Sequence, residues 1–285
     1  WYPGHMTKAI RQMREDIKII DTTIRDGGHI NHFYFSNDFV QNLYIANALS
    51  GIDYMEFGYK ASADMFPADK FGLWKFCHDS DIQSIVEKSQ KSNQLHSLKQ
   101  FPKIAIMADV GRCNYKSDIV NKKDSPIDML GQSPVQVFYI VDSYGALYPE
   151  QIARITDLFM DFAVKYGKQV GIHAHDNQQL AFANTQEAYK YGASYLDAAY
   201  SGMGQGAGNC YLETLVGSLR NPKYNLYPIL QFTETYMTGL RESGLTWGYD
   251  LPYFITGLYN QHPREAITFM QGNLQDYAAF LPPFD

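Results

Sequence analysis

Residues 135–174 read VQVFYIVDSYGALYPEQIARITDLFMDFAVKYGKQVGIHA and contain one strand–helix–strand unit. The first run, Val135 to Asp142, and the last, Gln169 to Ala174, are apolar at nearly every position, which is typical of parallel strands buried on both faces. Between them, apolar residues recur at helical spacing from Pro149 to Tyr166, after a proline at the start. The unit therefore predicts a parallel sheet covered by helices.

The same alternation of strands and helices extends over most of the chain. Further strands are predicted in four runs: Ile17 to Thr23, Ile52 to Gly58, Lys103 to Val110 and Tyr195 to Tyr200. A doubtful seventh, Pro126 to Leu130, stops four residues before Val135, whereas parallel neighbours need a crossover of about a dozen residues. A closed barrel needs eight strands. We therefore predict an α/β fold, a TIM (β/α)8-type barrel that is incomplete, with six or seven strands and a C-terminal helical extension.

Composition excludes several classes of protein. The chain has 285 residues with 24 Lys and Arg against 30 Asp and Glu, so its net charge of −6 argues against a general nucleic-acid binder. Its three cysteines show no C-x-x-C spacing, which argues against a disulfide framework and a cysteine zinc site. We expect a cytoplasmic protein, because neither a long apolar span nor a secretory signal is present.

Polar or glycine-rich segments follow four of the predicted strands at their C-terminal ends. These segments are Arg25-Asp26-Gly27-Gly28-His29, Asp142-Ser143-Tyr144-Gly145, His173-Ala174-His175-Asp176-Asn177 and Ser201-Gly202-Met203-Gly204. In a parallel barrel these ends converge on one mouth. One segment alone would be a weak signal, but the fourfold repetition predicts a single site.

The histidine pair is the first candidate for a metal site. His173 and His175 are two residues apart on a predicted strand, so their imidazoles project to the same face. Asp26 is the natural third ligand, and two nitrogens with one carboxylate suit Zn, Mn, Fe or Co. The alternative is that the histidines are structural and that Asp26 only begins a turn.

Other strand-end residues allow two interpretations each. Arg25 stabilises an enolate or carboxylate oxygen, or it forms a salt bridge at the end of the barrel. His29 is a general base or acid, or a solvated loop histidine. The glycine-rich loop before Asn209 admits an anion or presents the Asn209 amide to the metal.

Three segments together resemble the DRE-type TIM-barrel metallolyases. They are DTTIRDGGH at 21–29, HAHDN at 173–177 and GMGQGAGN at 202–209. That superfamily includes 4-hydroxy-2-oxovalerate aldolase, 3-hydroxy-3-methylglutaryl-CoA lyase and isopropylmalate synthase. The resemblance covers roughly residues 17–265, and the histidine after Arg-Asp-Gly-Gly places the nearest branch on the aldolase side.

The resemblance implies a divalent cation held by Asp26, His173 and His175 with Asn209 nearby. Mn²⁺ is the first choice, and Mg²⁺, Co²⁺ and Zn²⁺ are alternatives. Arg25 would then steady a pyruvate enolate. His29 would take the proton from the 4-hydroxyl of the substrate, assisted by a tyrosine such as Tyr249 or Tyr253.

Five further residues are candidates for substrate binding: Glu56, Asp142, Ser143, Gly204 and Gly206. Glu56 faces the mouth or instead pairs with lysines. Asp142 and Ser143 shape the floor of the site or cap the next helix.

The predicted function is a metal-dependent aldolase that cleaves a 4-hydroxy-2-oxo acid to pyruvate and an aldehyde. One alternative is a Claisen-type lyase or synthase that acts on an acyl-CoA. Another is a catalytically inactive barrel scaffold, because a missing strand opens a sheet edge and invites association. We expect a small keto-acid substrate, a homo-oligomer, a dehydrogenase as candidate partner, and neither nucleic acid nor membrane as partner.

The predicted organisation has three parts. Residues 1–16 form a helical segment of foreign appearance, since WYPGHMTKA at 1–9 resembles the opening of circularly permuted ribosome-assembly GTPases, and no later segment carries their guanine-binding motifs. Residues 17–221 form the barrel. Residues 222–285 form a C-terminal helical region packed on the barrel, with a loop predicted at 249–253.

Overall fold

A computed structural model describes residues 14–107, 131–272 and 276–281. Its sheet has six strands in these ranges, paired in parallel throughout in the order β3-β2-β1-β6-β5-β4. The strands are β1 Lys18–Asp21, β2 Tyr54–Tyr59, β3 Lys103–Met107, β4 Val137–Asp142, β5 Gln169–Ala174 and β6 Tyr195–Ala198. A cavity of about 460 Å³ is lined by residues of all six strands, so the sheet curls around it. The predicted incomplete barrel is confirmed, and β3 and β4 are the outermost of its described strands.

Helices lie between the strands and after the last one. They are α1 Thr23–Gly27, α2 Asn37–Ser50, α3 Asp79–Gln90, α4 Pro149–Tyr166, α5 Ala181–Lys190, α6 Leu212–Leu219, α7 Leu226–Phe232, α8 Thr238–Glu242, α9 Leu251–Leu258, α10 Arg264–Gln271 and α11 Tyr277–Phe280. A π-helical turn, Thr233–Met237, joins α7 to α8. None of the described helices is long and apolar enough to cross a membrane.

The strand–helix–strand unit at 135–174 has the predicted form. Helix α4 begins at Pro149 and ends at Tyr166, and Gly167 follows in the left-handed conformation that commonly closes a helix. Its buried residues include Ile152 and Ala163, which belong to the same core as Val170 and Ile172 of β5. The helix thus covers one face of the sheet, and five of the six residues of β5 are buried.

Most predicted strands differ from the observed ones by one or two residues at an end. In two places a side-chain hydrogen bond explains the difference. Strand β1 ends at Asp21 instead of Thr23, because the Asp21 carboxylate accepts hydrogen bonds from the backbone N–H and the hydroxyl of Thr23 and so turns the chain into α1. The loop predicted at 249–253 is half helical, since α9 begins at Leu251 with Asp250 as its N-cap. The doubtful strand Pro126–Leu130 lies outside the described residues.

The start of the described chain contacts the barrel. Arg14 donates hydrogen bonds to the carbonyl oxygens of Tyr189, Gly192 and Ala193 at the end of α5. Most of the predicted segment 1–16 precedes this point and lies outside the described residues. In the C-terminal region, the Trp247 indole donates to the carbonyl of Ser201, next to the glycine-rich loop.

Candidate metal centre

Three side chains of ligand type meet at the carboxyl end of the half-barrel. Asp26 lies in α1 just after β1, His173 lies in β5, and His175 follows that strand directly. One ligand atom from each residue lies within 4.8 Å of the other two, and all three residues are buried. The two imidazole centroids are 5.0 Å apart. The structure therefore brings together the three residues selected from the sequence as metal ligands.

Buried polar atoms around this cluster lack hydrogen-bond partners. Within the described part of the chain, these atoms include Nε2 of His173, Nδ1 of His175 and Oδ1 of Asn209. An unpaired buried acceptor is costly, so such atoms mark a place where another group binds. Nitrogen and oxygen lone pairs beside a carboxylate form a donor set for a divalent transition metal. The residues present thus fit a divalent cation.

The charges in the cluster also favour a cation. Burial alone would raise the pKa of Asp26, but two nearby positive charges, that of His175 in its protonated form and that of Arg25, outweigh it and hold this pKa well below its usual range. Burial lowers the pKa of both His173 and His175 to about 4, and the charge of Arg25 acts in the same direction. Near neutral pH the cluster therefore holds one carboxylate and two uncharged imidazoles, which is the protonation state that metal binding requires.

The glycine-rich loop closes over the Asp26 carboxylate. Oδ2 of Asp26 accepts hydrogen bonds from the Asn209 amide at 2.8 Å and from the backbone N–H of Gln205 at 3.0 Å. A Cβ atom on Gly204 would lie 2.3 Å from Nδ2 of Asn209 and 2.5 Å from Oδ2 of Asp26. Gly204 is therefore required for this close approach, whereas Gly206 lies further along, beside the ring of Tyr253.

Arg25 is buried between carboxylates beside the histidines. Its guanidinium donates from Nε to Glu56 at 2.7 Å and from Nη1 to Asp26 at 2.9 Å, and Nη2 lies 3.4 Å from Nδ1 of His173. Glu56 thus pairs with an arginine of the site and not with a lysine. Burial opposes the charged form of Arg25, but Glu56 and Asp26 outweigh it and raise its pKa further. The guanidinium is a fixed positive charge next to the proposed ligands.

Asp197 of β6 is a part of the site that the motifs did not indicate. Its Oδ2 atom lies 3.1 Å from Nδ1 of His173, and both side chains are buried. A carboxylate on the far nitrogen of a histidine fixes the orientation of the ring and leaves the other nitrogen for a ligand. Its only sequence signal is a carboxylate within an otherwise apolar strand.

His29 lies at the mouth, and its partner is Tyr59, which was not selected from the sequence. Nε2 of His29 is 3.1 Å from the Tyr59 hydroxyl. His29 is exposed at the mouth, but neighbouring protein atoms partly desolvate its imidazole and so lower its pKa below the usual value. Tyr253, the tyrosine chosen to assist His29, lies in the first turn of α9, where its carbonyl oxygen accepts a hydrogen bond from Asn177 and its ring lies beside Gly206. Tyr249 is 49% exposed.

The polar residues at the end of β4 stabilise the following turn more than they line the mouth of the half-barrel. The Asp142 carboxylate accepts hydrogen bonds from the backbone N–H groups of Ala146 and Leu147. Ser143 is exposed in the turn. Of the two interpretations left open for Asp142, the geometry favours the one in which it holds the turn before α4.

Relatives of known name align with about three quarters of this chain. Residues 118–238 match the HMGL-like family model. An oxaloacetate decarboxylase of Mycobacterium tuberculosis is 27% identical over 241 residues, which cover 73% of this chain and 70% of the relative. A 4-hydroxy-2-oxovalerate aldolase of Moorella thermoacetica is 26% identical over 262 residues, 76% of this chain and 75% of the relative. These relatives agree with the resemblance to the DRE-type metallolyases that the three sequence segments carry.

Solved structures agree with the barrel fold. The N-terminal domain of an aldolase candidate from Bacteroides vulgatus superimposes with a TM-score of 0.71 at 22% identity, covering 90% of this chain and 97% of that domain. A Bacillus subtilis HMG-CoA lyase superimposes with a TM-score of 0.53 at 17% identity, covering 82% and 96%. At such identities the likeness concerns the fold alone.

Proposed function

We propose that this chain is a divalent-metal-dependent aldolase that cleaves a 4-hydroxy-2-oxo acid into pyruvate and an aldehyde. The observation that carries the proposal is the buried cluster of Asp26, His173 and His175 with Arg25 beside it. Relatives named 4-hydroxy-2-oxovalerate aldolase support the class of carbon–carbon lyases and suggest this class of substrate.

Each residue of the site has a separate task in this proposal. Asp26, His173 and His175 would hold the cation, with Asn209 at its side. When bound, the cation supplies a Lewis acid that polarises the keto oxygen of the substrate. Arg25 is fixed by its hydrogen bonds to Glu56 and Asp26. A fixed guanidinium in a buried site stabilises the negative charge that develops on the enolate oxygen.

The reaction also needs a base for the 4-hydroxyl proton. His29 is uncharged near neutral pH, because desolvation lowers its pKa, so it can accept a proton. As that proton leaves, the C3–C4 bond breaks, the aldehyde forms, and the bonding pair enters the enolate. The proton then returns to C3 and completes pyruvate.

A coupled assay of pyruvate release tests the proposal on a panel of 4-hydroxy-2-oxo acids with added Mn²⁺. We expect turnover by the wild type, loss of turnover in His29→Ala, and loss of bound metal in His173→Ala. His96→Ala, at an exposed histidine, is the matched control. Absence of turnover across the panel would contradict the proposal, and thiol release dependent on acetyl-CoA would support a Claisen-type reaction instead.

Decarboxylation of oxaloacetate is a second candidate, because a relative over 73% of the chain is named oxaloacetate decarboxylase. This reaction also proceeds through a pyruvate enolate, but it removes carbon dioxide and has no 4-hydroxyl proton to transfer. Turnover of oxaloacetate that survives His29→Ala, with none on the hydroxy acids, would favour it.

A further inference from the structure

Tyr59 is directed toward the mouth by a local irregularity of β2. The register between β2 and β3 shifts between Glu56 and Tyr59. Gly58 has a φ of +137°, and a Cβ atom there would lie 2.0 Å from the carbonyl oxygen of Trp74. Bulges of this kind often redirect a side chain next to a functional site. The backbone at this strand end therefore requires glycine and places the Tyr59 hydroxyl beside His29.

Aromatic and cationic neighbours hold the Tyr59 ring in place. The Lys75 ammonium lies 4.5 Å from the centre of this ring, and Lys75 is 4% exposed. Phe33 meets the Tyr59 ring edge to face at 5.5 Å, and the His29 ring does so at 5.6 Å. A cation over the face of a tyrosine is attracted to its π electrons. Tyr59 is thus a fixed hydroxyl, in contrast to a mobile surface tyrosine.

We propose that the Tyr59 hydroxyl exchanges protons directly with the substrate and that His29 stores the proton behind it. This inference rests on the proposed aldol cleavage. As the C3–C4 bond breaks, the 4-hydroxyl proton passes to Oη of Tyr59 while the Tyr59 proton passes to Nε2 of His29. The C3–C4 electron pair forms the enolate, and the O–H pair forms the aldehyde carbonyl.

The two proton transfers then occur in the opposite direction and complete pyruvate. The imidazolium of His29 returns its proton to Tyr59, and the Tyr59 hydroxyl protonates C3 of the enolate. The net change is the transfer of one proton from O4 to C3, so no further reactant is needed. Since O4 and C3 are both bonded to C4, one hydroxyl can reach both positions in turn.

The protonation states of Tyr59 and His29 suit this order of proton transfers. Burial raises the pKa of Tyr59, although the charge of Arg25 acts in the opposite direction, so its hydroxyl keeps its proton near neutral pH. The uncharged imidazole of His29 can accept that proton in the tautomer that leaves Nε2 free. A tyrosine that remains neutral acts as a relay, because it must pass one proton on as it takes another.

The test compares Tyr59→Phe with Tyr54→Phe, a matched control at the opposite end of β2, in Mn²⁺-loaded protein. Three quantities are measured: kcat and KM for cleavage, exchange of the pyruvate C3 hydrogens in D₂O, and the affinity for oxalate, a planar mimic of the enolate. For Tyr59→Phe we expect kcat to fall by about 10²- to 10⁴-fold, the range of general acid–base catalysis. Hydrogen exchange should slow by a similar factor, while KM and oxalate affinity stay within about twofold, and Tyr54→Phe should match the wild type.

Four results would overturn the inference. Tyr59→Phe could retain kcat, or lose cleavage while exchange proceeds at the wild-type rate. It could also lose oxalate affinity together with kcat, which would indicate a structural role for Tyr59. Finally, Tyr253→Phe could lose kcat while Tyr59→Phe does not. In each case the active wild type leaves the proposed function standing. A wild type inactive on every acid removes both proposals.

Discussion

Among single residues, Asp197 has the clearest consequence for metal binding. It fixes the His173 ring through Nδ1 at 3.1 Å, and Nε2 has no partner among the residues that the structure describes. We expect Asp197→Asn to weaken Mn²⁺ binding by about 10- to 100-fold, the usual effect of removing such an outer carboxylate. Competition with a chelating dye measures the affinity, and Asp161→Asn, at an exposed aspartate, is the control. An unchanged affinity would show that His173 is oriented by other contacts.

Some site residues can be predicted from local spacing in the sequence, and others can be found only in the folded structure. His173 and His175 are two positions apart on one strand, so their common face follows from the geometry of an extended chain. Tyr59 lies 30 positions from His29, and Asp197 lies 24 positions from His173. The first pair forms because β2 lies beside β1 in the sheet, and the second because β6 lies beside β5. No local spacing encodes that arrangement.

At the scale of elements, the glycine-rich loop at 202–209 is as important to the centre as its ligands. We expect Gly204→Ala to weaken Mn²⁺ binding at least tenfold, because a Cβ atom would displace the Asn209 amide and the Asp26 carboxylate. Gly239→Ala is the control, since Gly239 lies in α8, where a Cβ atom would meet no other atom within 4 Å. Alanine there should leave metal affinity unchanged and stabilise the fold by about 0.5–1 kcal/mol. Equal metal affinity in both variants would contradict this role of the loop.

The end of β1 gives a prediction about pH. Burial raises the pKa of Asp21 to about 6, although hydrogen bonds from Thr23 and Asn47 oppose the shift. The folded state therefore binds this proton more tightly than the unfolded state, so the contribution of Asp21 to stability falls as pH rises from about 4 to about 6. The expected loss is on the order of 3 kcal/mol, at about 1.4 kcal/mol per pKa unit.

Urea unfolding of wild type and Asp21→Asn across this pH range isolates the effect of Asp21. The difference between their unfolding free energies should shift against the wild type as pH rises, because only the wild type carries the carboxyl group. A difference that does not change with pH would mean that Asp21 titrates normally. The comparison between the two proteins removes the contribution of the other acidic groups.

Element boundaries show where local signals suffice. The bounds of α4 follow from Pro149 at its start and Gly167 after its end, and both act within one turn. The end of β1 was misplaced, because the run to Thr23 continues to favour a strand while the side chain of Asp21 bends the backbone. A hydrogen bond to the backbone two residues later competes with extension and leaves little trace in the hydrophobic pattern.

At the scale of the whole molecule, the number of strands in the described ranges was accessible from the sequence, and their order was not. The short distance from Val110 to Val135 limits the number of strand–helix units, whatever the fold. Strand β1 lies between β2 and β6, and its pairing with β6 joins segments more than 170 positions apart in the chain, such as Ile20 and Asp197. Such pairing depends on the packing of the complete sheet.

Metal binding should stabilise the entire chain, because the proposed ligands come from distant segments that meet only in the folded state. A ligand present at 100 times its Kd stabilises the folded state by about 2.7 kcal/mol. For a domain somewhat larger than 200 residues, this corresponds to a rise in Tm of about 5–10 °C. Scanning calorimetry with Mn²⁺ should show this rise, EDTA should abolish it, and His173→Ala should show none. An equal rise in His173→Ala would mean that the ion stabilises the protein from another place, and the buried cluster of Asp26, His173 and His175 would lose its assigned role.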